Sequence, residues 1–599
     1  MLAETVRPDV VPGAAFGVAR SFSGRRWHLR EAGEDATRAL SLCGNVSPPL
    51  ARLLAARDVS PEQVDDIVNP TLKRLLPEPS TLKDMDAAVA RTRAAIENGE
   101  KIAVFGDYDV DGSTSAALVS EFLSALGRPP RIYIPDRLTE GYGPSARALL
   151  QLKDEGASLV ITVDCGAAAR DALTAARDAG LDVIVLDHHA VETAPPAFAQ
   201  VNPNQPGDNS GLGHLCAAGV TFLFLVALNR GLRNSDWYKT SGVSEPDLRE
   251  QLDLVGLATV CDVVPLIGVN RAFVRAGLAK LSASARPGLK ALAAIAGIAP
   301  PFTPYHLGFM FGPRINAGGR VGRCSLGTEL LIENDPALAE ELAARLDLHN
   351  KERQAIEKLI LEDAIAMAST QSNAPFVLVH GEGWHSGVVG IVAGRLKERF
   401  NKPALVAGFE GNAGRGSARS IPGIDIGAIV RAAHARGLLE SGGGHAMAAG
   451  FSLASAKLDA FRGFLELQFS GQGEALDAAN ELSLDLALSP SGATTGLVEE
   501  IARLGPFGSG NPEPLVVVLD ARVAFADLVG KDHVRLRLAG QDGARLDAIA
   551  FRAASTPLGE GLLKARGKTI HAAGRLKADE WNGRVRVQLQ IEDAAPAGV

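Results

Sequence analysis

The chain has 599 residues, too many for a single hydrophobic core, and ordinary domain sizes divide it into about three or four domains. Hydrophobic residues make up 46% and charged residues 22%, which excludes a disordered or fibrous chain. The net charge of −8 does not exclude nucleic acid, because phosphate binding needs a local basic surface and a cation site needs carboxylates.

Cys43, Cys165, Cys216, Cys261 and Cys324 are scattered, odd in number and without C-x-x-C spacing. That argues against zinc fingers and a disulfide framework and fits a reducing, cytoplasmic setting. Met1–Val11 carries Glu4 and Asp9 and no basic-then-apolar signal pattern. The longest apolar stretch, 215–228, includes Gly219 and Thr221 and is too short to span a bilayer, so a buried helix and no membrane partner are expected.

Residues 1–75 read as an N-terminal lead-in. Over 76–334, strand-like runs at 101–105, 159–163 and 181–186 alternate with helical stretches such as 86–96 and 167–179. Continuous apolar strands between helices predict a parallel sheet covered on both faces. Residues 335–372 read as one long linking helix, with Asp335-Pro336 at its start and Leu338, Leu342 and Leu346 at four-residue spacing. An α/β pattern resumes over 373–471, opening on a strand at 376–380. Residues 472–599 turn β-rich, with runs at 515–519, 533–538, 546–551 and 585–591 that suggest a small barrel.

The acids fall where the strands end. Strand 101–105 runs into Asp107-Tyr108-Asp109-Val110-Asp111-Gly112, strand 159–163 into Asp164-Cys165-Gly166, and strand 181–186 into Asp187-His188-His189. Ligands of open parallel sheets bind beyond the carboxyl ends of the strands, so all three segments reach one edge. Carboxylates crowded together repel, and a bound cation is the simplest remedy. Oxygen-rich ligands with imidazole and no thiolate favour Mn²⁺ or Mg²⁺ over zinc, and the number of acids suits two ions. Asp262 supplies a further acid after the apolar run 254–260. Each piece alone has a plainer reading: a turn, part of a calcium loop, or a helix cap beside two ordinary histidines.

Asp109-Val110-Asp111-Gly112, Asp164-Cys165-Gly166, Asp187-His188-His189 and Asp262 in ATVCDVVPL resemble the four motifs of the DHH phosphoesterases. The segments 135–143 (PDRLTEGYG), 312–320 (GPRINAGGR), 443–450 (GGHAMAAG) and 505–512 (GPFGSGNP) narrow the resemblance to the bacterial single-strand-specific exonucleases of that superfamily. The resemblance covers about residues 75 to 595. It implies a parallel-sheet DHH catalytic domain, the linking helix, a smaller α/β DHHA1 domain and a C-terminal oligonucleotide-binding (OB) β-barrel.

By that resemblance Asp107, Asp109, Asp111, Asp164, His188 and Asp262 bind two divalent cations, with Asp164 bridging. His189, Asp164 and Asp187 form the catalytic group, Asp187 orienting His188 and His189 facing the scissile phosphate. Many DHH phosphoesterases place a histidine where this chain has Phe105, so by the resemblance one metal either has a protein ligand fewer or takes Asp107 instead. The implied reaction is in-line phosphodiester hydrolysis, 5′ to 3′, releasing 5′-mononucleotides from single-stranded DNA during repair and recombination. Ser417, Arg419, Gly443, Gly444 and His445 are assigned to the terminal 5′-phosphate, and Arg314, Asn316 and Arg320 to the strand's path. Tyr142, near Arg137 in a glycine-flanked loop, offers a platform for a base. Residues 521–590 hold 13 basic and 7 acidic residues, with Arg535 and Arg537 on one strand face and Arg584 and Arg586 on another.

The expectation is a monomer that admits one strand into a groove between its first two domains. Single-strand-binding protein and a RecQ-type helicase are partners by family resemblance. The alternatives are a DHH phosphodiesterase of short oligonucleotides or cyclic dinucleotides, a non-enzymatic DHH-derived replication scaffold, and a pyrophosphatase. Filled acidic positions weigh against the scaffold, and the third domain against the other two.

Overall fold

The computed structural model describes residues 14–44, 46–137, 139–283, 286–371, 374–473, 476, 480–581 and 584–598, with backbone alone at 579–581 and 584. Met1–Val11 and Leu138 lie outside the described residues. The chain forms two compact units. One comprises Asn69–Ala355 with Pro506–Pro512, and the other Met1–Val68, Ile356–Gly505 and Glu513–Val599. No described helix is long and apolar enough to cross a membrane.

The first unit is built on a five-stranded parallel sheet in the order Arg131–Tyr133, Ile102–Gly106, Leu159–Val163, Asp182–Leu186, Ala199–Val201. Alternate residues of the central strands enter different cores. Ala103, Phe105, Val160, Val183 and Val185 pack with Leu149, Leu152 and Leu173 of the helices Ala146–Asp154 and Arg170–Asp178. Val104, Ile161, Ile184 and Leu186 face the larger core, which includes Phe122, Phe224 and Leu257. Side chains of that size contribute about 1.5–3 kcal/mol each on full burial. The apolar stretch at 215–228 lies mostly in the buried helix Ala217–Asn234.

The helix Pro336–Ser369 opens on Asp335, whose Oδ1 accepts the amides of Ala337 (2.8 Å) and Leu338 (3.1 Å). Of the leucines at four-residue spacing, Leu346 is buried and Leu342 packs against the core, but Leu338 is 51% exposed, and the buried apolar face is completed by Ala339 and Ala343, whose small side chains let the helix lie close to the core. Beyond Ile356 the helix belongs to the second unit, where Ile360, Ala364 and Ala368 are buried.

The second unit contains a five-stranded sheet in the order Ser441–His445, Ala448–Ala454, Ala413–Arg419, Ala404–Glu410, Val377–Glu382. The last two strands are parallel and the others antiparallel. The helix Ser386–Phe400 covers one face through Val388, Val389 and Val392, and the helices Ile426–Ala435 and Leu458–Phe469 cover the other.

The same unit holds the barrel. Val516–Val529, His533–Ala539, Arg545–Ala550, Arg584–Pro596 and Thr569–Trp581 pair in succession, and the last returns to the first. The N-terminal segment is more than a lead-in. Arg26–Leu29 pairs in parallel with Glu481–Leu484. Trp27 is fully buried with Val517 and Ala573, and its indole Nε1 donates to Asp593 Oδ2 (2.9 Å). Both the pairing partner and the acceptor are very distant in sequence, so the segment shows no local pattern that would reveal its place.

Candidate active site

The three acidic segments meet at the carboxyl edge of the parallel sheet. Strand Ile102–Gly106 delivers Asp107, and Asp109 caps the following helix Val110–Ala125, accepting the Gly112 amide at 3.0 Å. Gly112 is needed there, because a Cβ would stand 2.5 Å from the Asp107 carbonyl oxygen. Asp111 lies one position into the helix. Its carboxylate accepts the amides of Ala217 (2.7 Å) and Ala218 (2.8 Å), the first residues of the helix Ala217–Asn234, whose positive end suits an anion. Strand Leu159–Val163 ends at Asp164, which takes a left-handed φ of 59° that aspartate tolerates better than most residues. Asp262 is the residue closing the helix Leu252–Cys261.

These groups converge on one imidazole. His188 Nε2 lies 3.5 Å from Asp164 Oδ1, 3.6 Å from Asp262 Oδ2 and 3.8 Å from Asp111 Oδ2. None of these approaches is a hydrogen bond. His188 Nε2, Asp164 Oδ1, Asp262 Oδ2 and Asp107 Oδ1 are buried without any hydrogen-bond partner. Buried polar atoms are normally satisfied, so four orphans facing one another mark a place for something else. Among the described residues, Asp107, Asp109 and Asp164 form one cluster of metal-binding geometry, Asp111, His188 and Asp262 a second, and Asp164, His188 and His189 a third that joins them. The donor set fits two hard divalent cations.

The electrostatics agree. Burial, then the charge of Asp109, pushes Asp107 up to about 8 and Asp111 up to about 7. Burial, then Asp111, pushes Asp262 up to about 9. Asp164 rises well above the usual carboxylate range through burial and then the charges of Asp109, Asp111, Asp107 and Asp262. Burial, then His189, holds His188 down to about 4, the neutral form a metal requires.

Asp187 behaves differently from the expectation that it orients His188. Its Oδ1 accepts from His189 Nδ1 (2.7 Å) and from the amides of His188 (2.7 Å) and His189 (3.1 Å), and Oδ2 accepts the Ala167 amide (3.0 Å). The tight turn after Leu186 folds the carboxylate back over its own backbone, and the ring within reach is that of His189. Burial alone would raise Asp187, but these bonds hold it below its ordinary value. Burial likewise opposes the charged form of His189, and the bond to Asp187 outweighs it, raising His189.

Sequence reasoning missed two supports. Asn202 Nδ2 donates to the His189 carbonyl (2.8 Å), and Asn204 Nδ2 to the His188 carbonyl (2.6 Å). The Asn-Pro-Asn following the edge strand Ala199–Val201 was the available signal. Phe105 stacks on Tyr133 at 5.2 Å in the core behind the sheet.

Three family models match the chain: the DHH family N-terminal domain over residues 101–258, the DHHA1 domain over 373–471 and the RecJ OB domain over 484–593. The single-stranded-DNA-specific exonuclease RecJ of Dickeya dadantii is 36% identical over 566 residues, covering 91% of this chain and 96% of the relative. The chain belongs to the RecJ family. The RecJ of Bacillus subtilis is 34% identical over 577 residues, 95% of this chain and 71% of that protein. The crystal structure of Thermus thermophilus RecJ in complex with Mn²⁺ superposes with a TM-score of 0.78 at 30% identity, covering 94% of this chain and 78% of that one. A RecJ structure from the same organism holds Mg²⁺, with a TM-score of 0.70 at 28% identity, covering 95% of this chain and 77% of that one.

Around the RecJ-type centre, the Tyr142 hydroxyl donates to the Asp164 carbonyl (2.9 Å) and lies 3.3 Å from His189 Nδ1, while the residue stays 56% exposed. The Arg137 guanidinium sits over the Tyr108 ring at 5.5 Å. The segment 312–320 packs alongside, with Gly319 against Tyr108. Asn316 Oδ1 there is buried and unsatisfied, and Arg320 is half-buried. Arg314 is already engaged, its Nε donating to Asp347 (2.9 Å) and Nη1 to the Met310 carbonyl (2.8 Å).

In the second unit, His445, Ala448 and Arg419 are cross-strand neighbours, as are Gly443, Gly450 and Ser417 two rows along, so all six share a face. Gly443 and Gly450 border open space, and Gly444 lies in the row between. Arg419 Nη1 donates to the Ala418 carbonyl, and burial lowers its pKa. On the barrel, Phe525, Arg535, Arg537, Asp547, Arg586 and Gln588 line a cleft of about 580 Å³. Arg535 lies over the Phe525 ring at 5.6 Å, and Arg537 pairs with Asp547 at 2.9 Å. The Arg584 side chain lies outside the described residues.

Proposed function

We propose that the chain degrades single-stranded DNA from its 5′ end with two divalent cations, Mn²⁺ or Mg²⁺, releasing 5′-mononucleotides. The observation that carries this reading is the set of unsatisfied buried atoms around His188 Nε2. Asp107, Asp109 and Asp164 would hold one ion and Asp111, His188 and Asp262 the other, with Asp164 common to both. Bound there, the ions would neutralise the phosphate and acidify an attacking water. His189 is raised toward its protonated form by Asp187, so with Nδ1 committed, Nε2 can donate to a phosphate oxygen as negative charge develops. Tyr142 presents an exposed ring beside this group for a terminal base.

Polarity is assigned to the second unit. Ser417, Arg419 and His445, with the open backbone of Gly443 and with Gly444 shaping the strand between them, would take a terminal 5′-phosphate. Asn316 and Arg320 are proposed for the strand's backbone, with Arg314 contributing only what its pairing with Asp347 leaves. The barrel cleft, with Arg535 and Arg586, would hold the trailing single strand. We assign the protein to the cytoplasm as a monomer working with single-strand-binding protein and a RecQ-type helicase in repair and recombination. The filled acidic positions and the barrel disfavour the scaffold and small-substrate readings.

The deciding experiment is Mn²⁺-dependent digestion of a 5′-labelled single strand by the wild type and Asp164→Ala. Mononucleotide release from the 5′ end by the wild type alone is expected. Retained activity in the variant would refute the reading.

A further inference from the structure

The segment 505–512 has no role in the chemistry described above, yet it folds away from its neighbours in sequence. It lies between the helix Thr495–Ala502 and the barrel strand Val516–Val529, while Pro506–Pro512 belongs to the compact unit of the acidic centre. There it forms a tight turn. Gly508 and Asn511 exchange backbone hydrogen bonds of 3.0 and 3.2 Å, and the buried Asn511 closes the turn by donating to the Pro506 carbonyl (2.8 Å).

The turn sits on the loop that follows Asp262. The Leu266 amide donates to the Ser509 carbonyl at 2.7 Å. Gly508 lies against Leu266 and Gly510 against Pro265, so closely that a Cβ on either would come within 2.8 Å of those side chains. Gly510 also has a φ of 67°, where a side chain is strained. The loop needs such restraint. Val263, adjacent to Asp262, is held at a φ of 60°, a costly conformation for a β-branched residue, and its exposed side chain provides no packing in return. From the other side, the buried Asn270 donates to the carbonyls of Pro265 (2.9 Å) and His214 (2.7 Å). His214 lies just before the helix whose first amides hold Asp111.

We propose that Pro506–Pro512 is a clamp that positions Asp262, keeping its carboxylate beside His188 by holding the strained loop Val263–Ile267 in place. Leu266, Ser509 and Gly510 are then positioning residues, not catalytic ones. The inference rests on reading Asp262 as a metal ligand.

The test uses the full chain and Mn²⁺ alone, with binding read by titration calorimetry. Gly510→Val collides with Pro265 and disfavours the backbone of the turn. It is expected to weaken Mn²⁺ binding at one site by about 10–100-fold, the usual cost of losing support around a ligand. Affinity for a single-stranded oligonucleotide in EDTA, read by fluorescence anisotropy, stays within about twofold, which a global loss of structure would not allow. Wild-type Mn²⁺ affinity in Gly510→Val, with weakened binding in Asp262→Asn, overturns the clamp. Unchanged binding in Asp262→Asn overturns the ligand assignment beneath it. Hydrogen exchange on the wild type keeps the proposal open to refutation should Gly510→Val not fold. The Leu266 amide is expected to be protected, and exchange at an unstructured rate would overturn the clamp.

Discussion

Asp187 and His189 form the closest ion pair of the acidic centre, with Oδ1 and Nδ1 2.7 Å apart. The carboxylate is fully buried, whereas about a third of the histidine side chain is exposed. Each partner's pKa moves toward its charged form in a setting where burial acts the other way. The pair therefore favours the cationic form of the imidazole at the mouth of the acidic pocket.

Asp187→Asn should lower turnover by about 10–100-fold while leaving KM for a long single strand nearly unchanged. His189 works as a protonated donor in this scheme, so activity is lost as pH rises through its pKa. Without Asp187 that pKa falls, and the alkaline limb of the pH–rate profile should move to lower pH. An unmoved limb would exclude His189 as the titrating group.

Without metal, Asp107, Asp111, Asp164 and Asp262 all keep protons above their ordinary range. The folded chain then binds more protons than the unfolded one, and the sign of the linkage makes stability fall as pH rises. Thermal unfolding in EDTA should show that fall from about pH 4 to about pH 9. Saturating Mn²⁺ should flatten it, and Mn²⁺ binding near neutral pH should release protons, seen as buffer-dependent heats in calorimetry. Binding without proton release would contradict the shifted carboxyls.

Arg419→Ala should raise KM for a 5′-phosphorylated strand about tenfold or more, the scale of a lost charge-assisted hydrogen bond. The same strand with a 5′-hydroxyl should be affected far less. Equal loss on both substrates would detach Arg419 from the terminal phosphate.

Phe525→Ala with Arg535→Ala should weaken binding of long single strands in EDTA, with the stacking component worth about 1–3 kcal/mol per base. Hydrolysis of very short oligonucleotides should be spared. Anisotropy with strands of graded length checks this, and a loss independent of length would rule out the barrel cleft as the trailing-strand site.

Much of this centre was legible because its strands are continuous apolar runs ending in acids, and a parallel sheet sends such ends to one edge. The partner of Asp187 was not, since a turn of three residues decides which imidazole it meets. In the helix Pro336–Ser369 the leucine spacing picked out Leu342 and Leu346, which pack on the core, but not the buried Ala339 and Ala343, because leucine outweighs alanine in a hydrophobicity pattern. The barrel strand Thr569–Trp581 escaped notice among glycine, alanine and charged residues. Arg26–Leu29 could not be placed, because its neighbour Glu481–Leu484 comes from the far end of the chain.

That last pairing imposes an order on synthesis. Trp27 leaves the ribosome early and waits for Glu481–Leu484 and then Asp593 before its indole is enclosed. The acidic centre's own strands, all between Ile102 and Val201, can assemble long before that. A nascent chain can thus have the strands of its acidic edge in place while its barrel is still open, since the barrel closes only when Arg584–Pro596 reaches its two neighbouring strands.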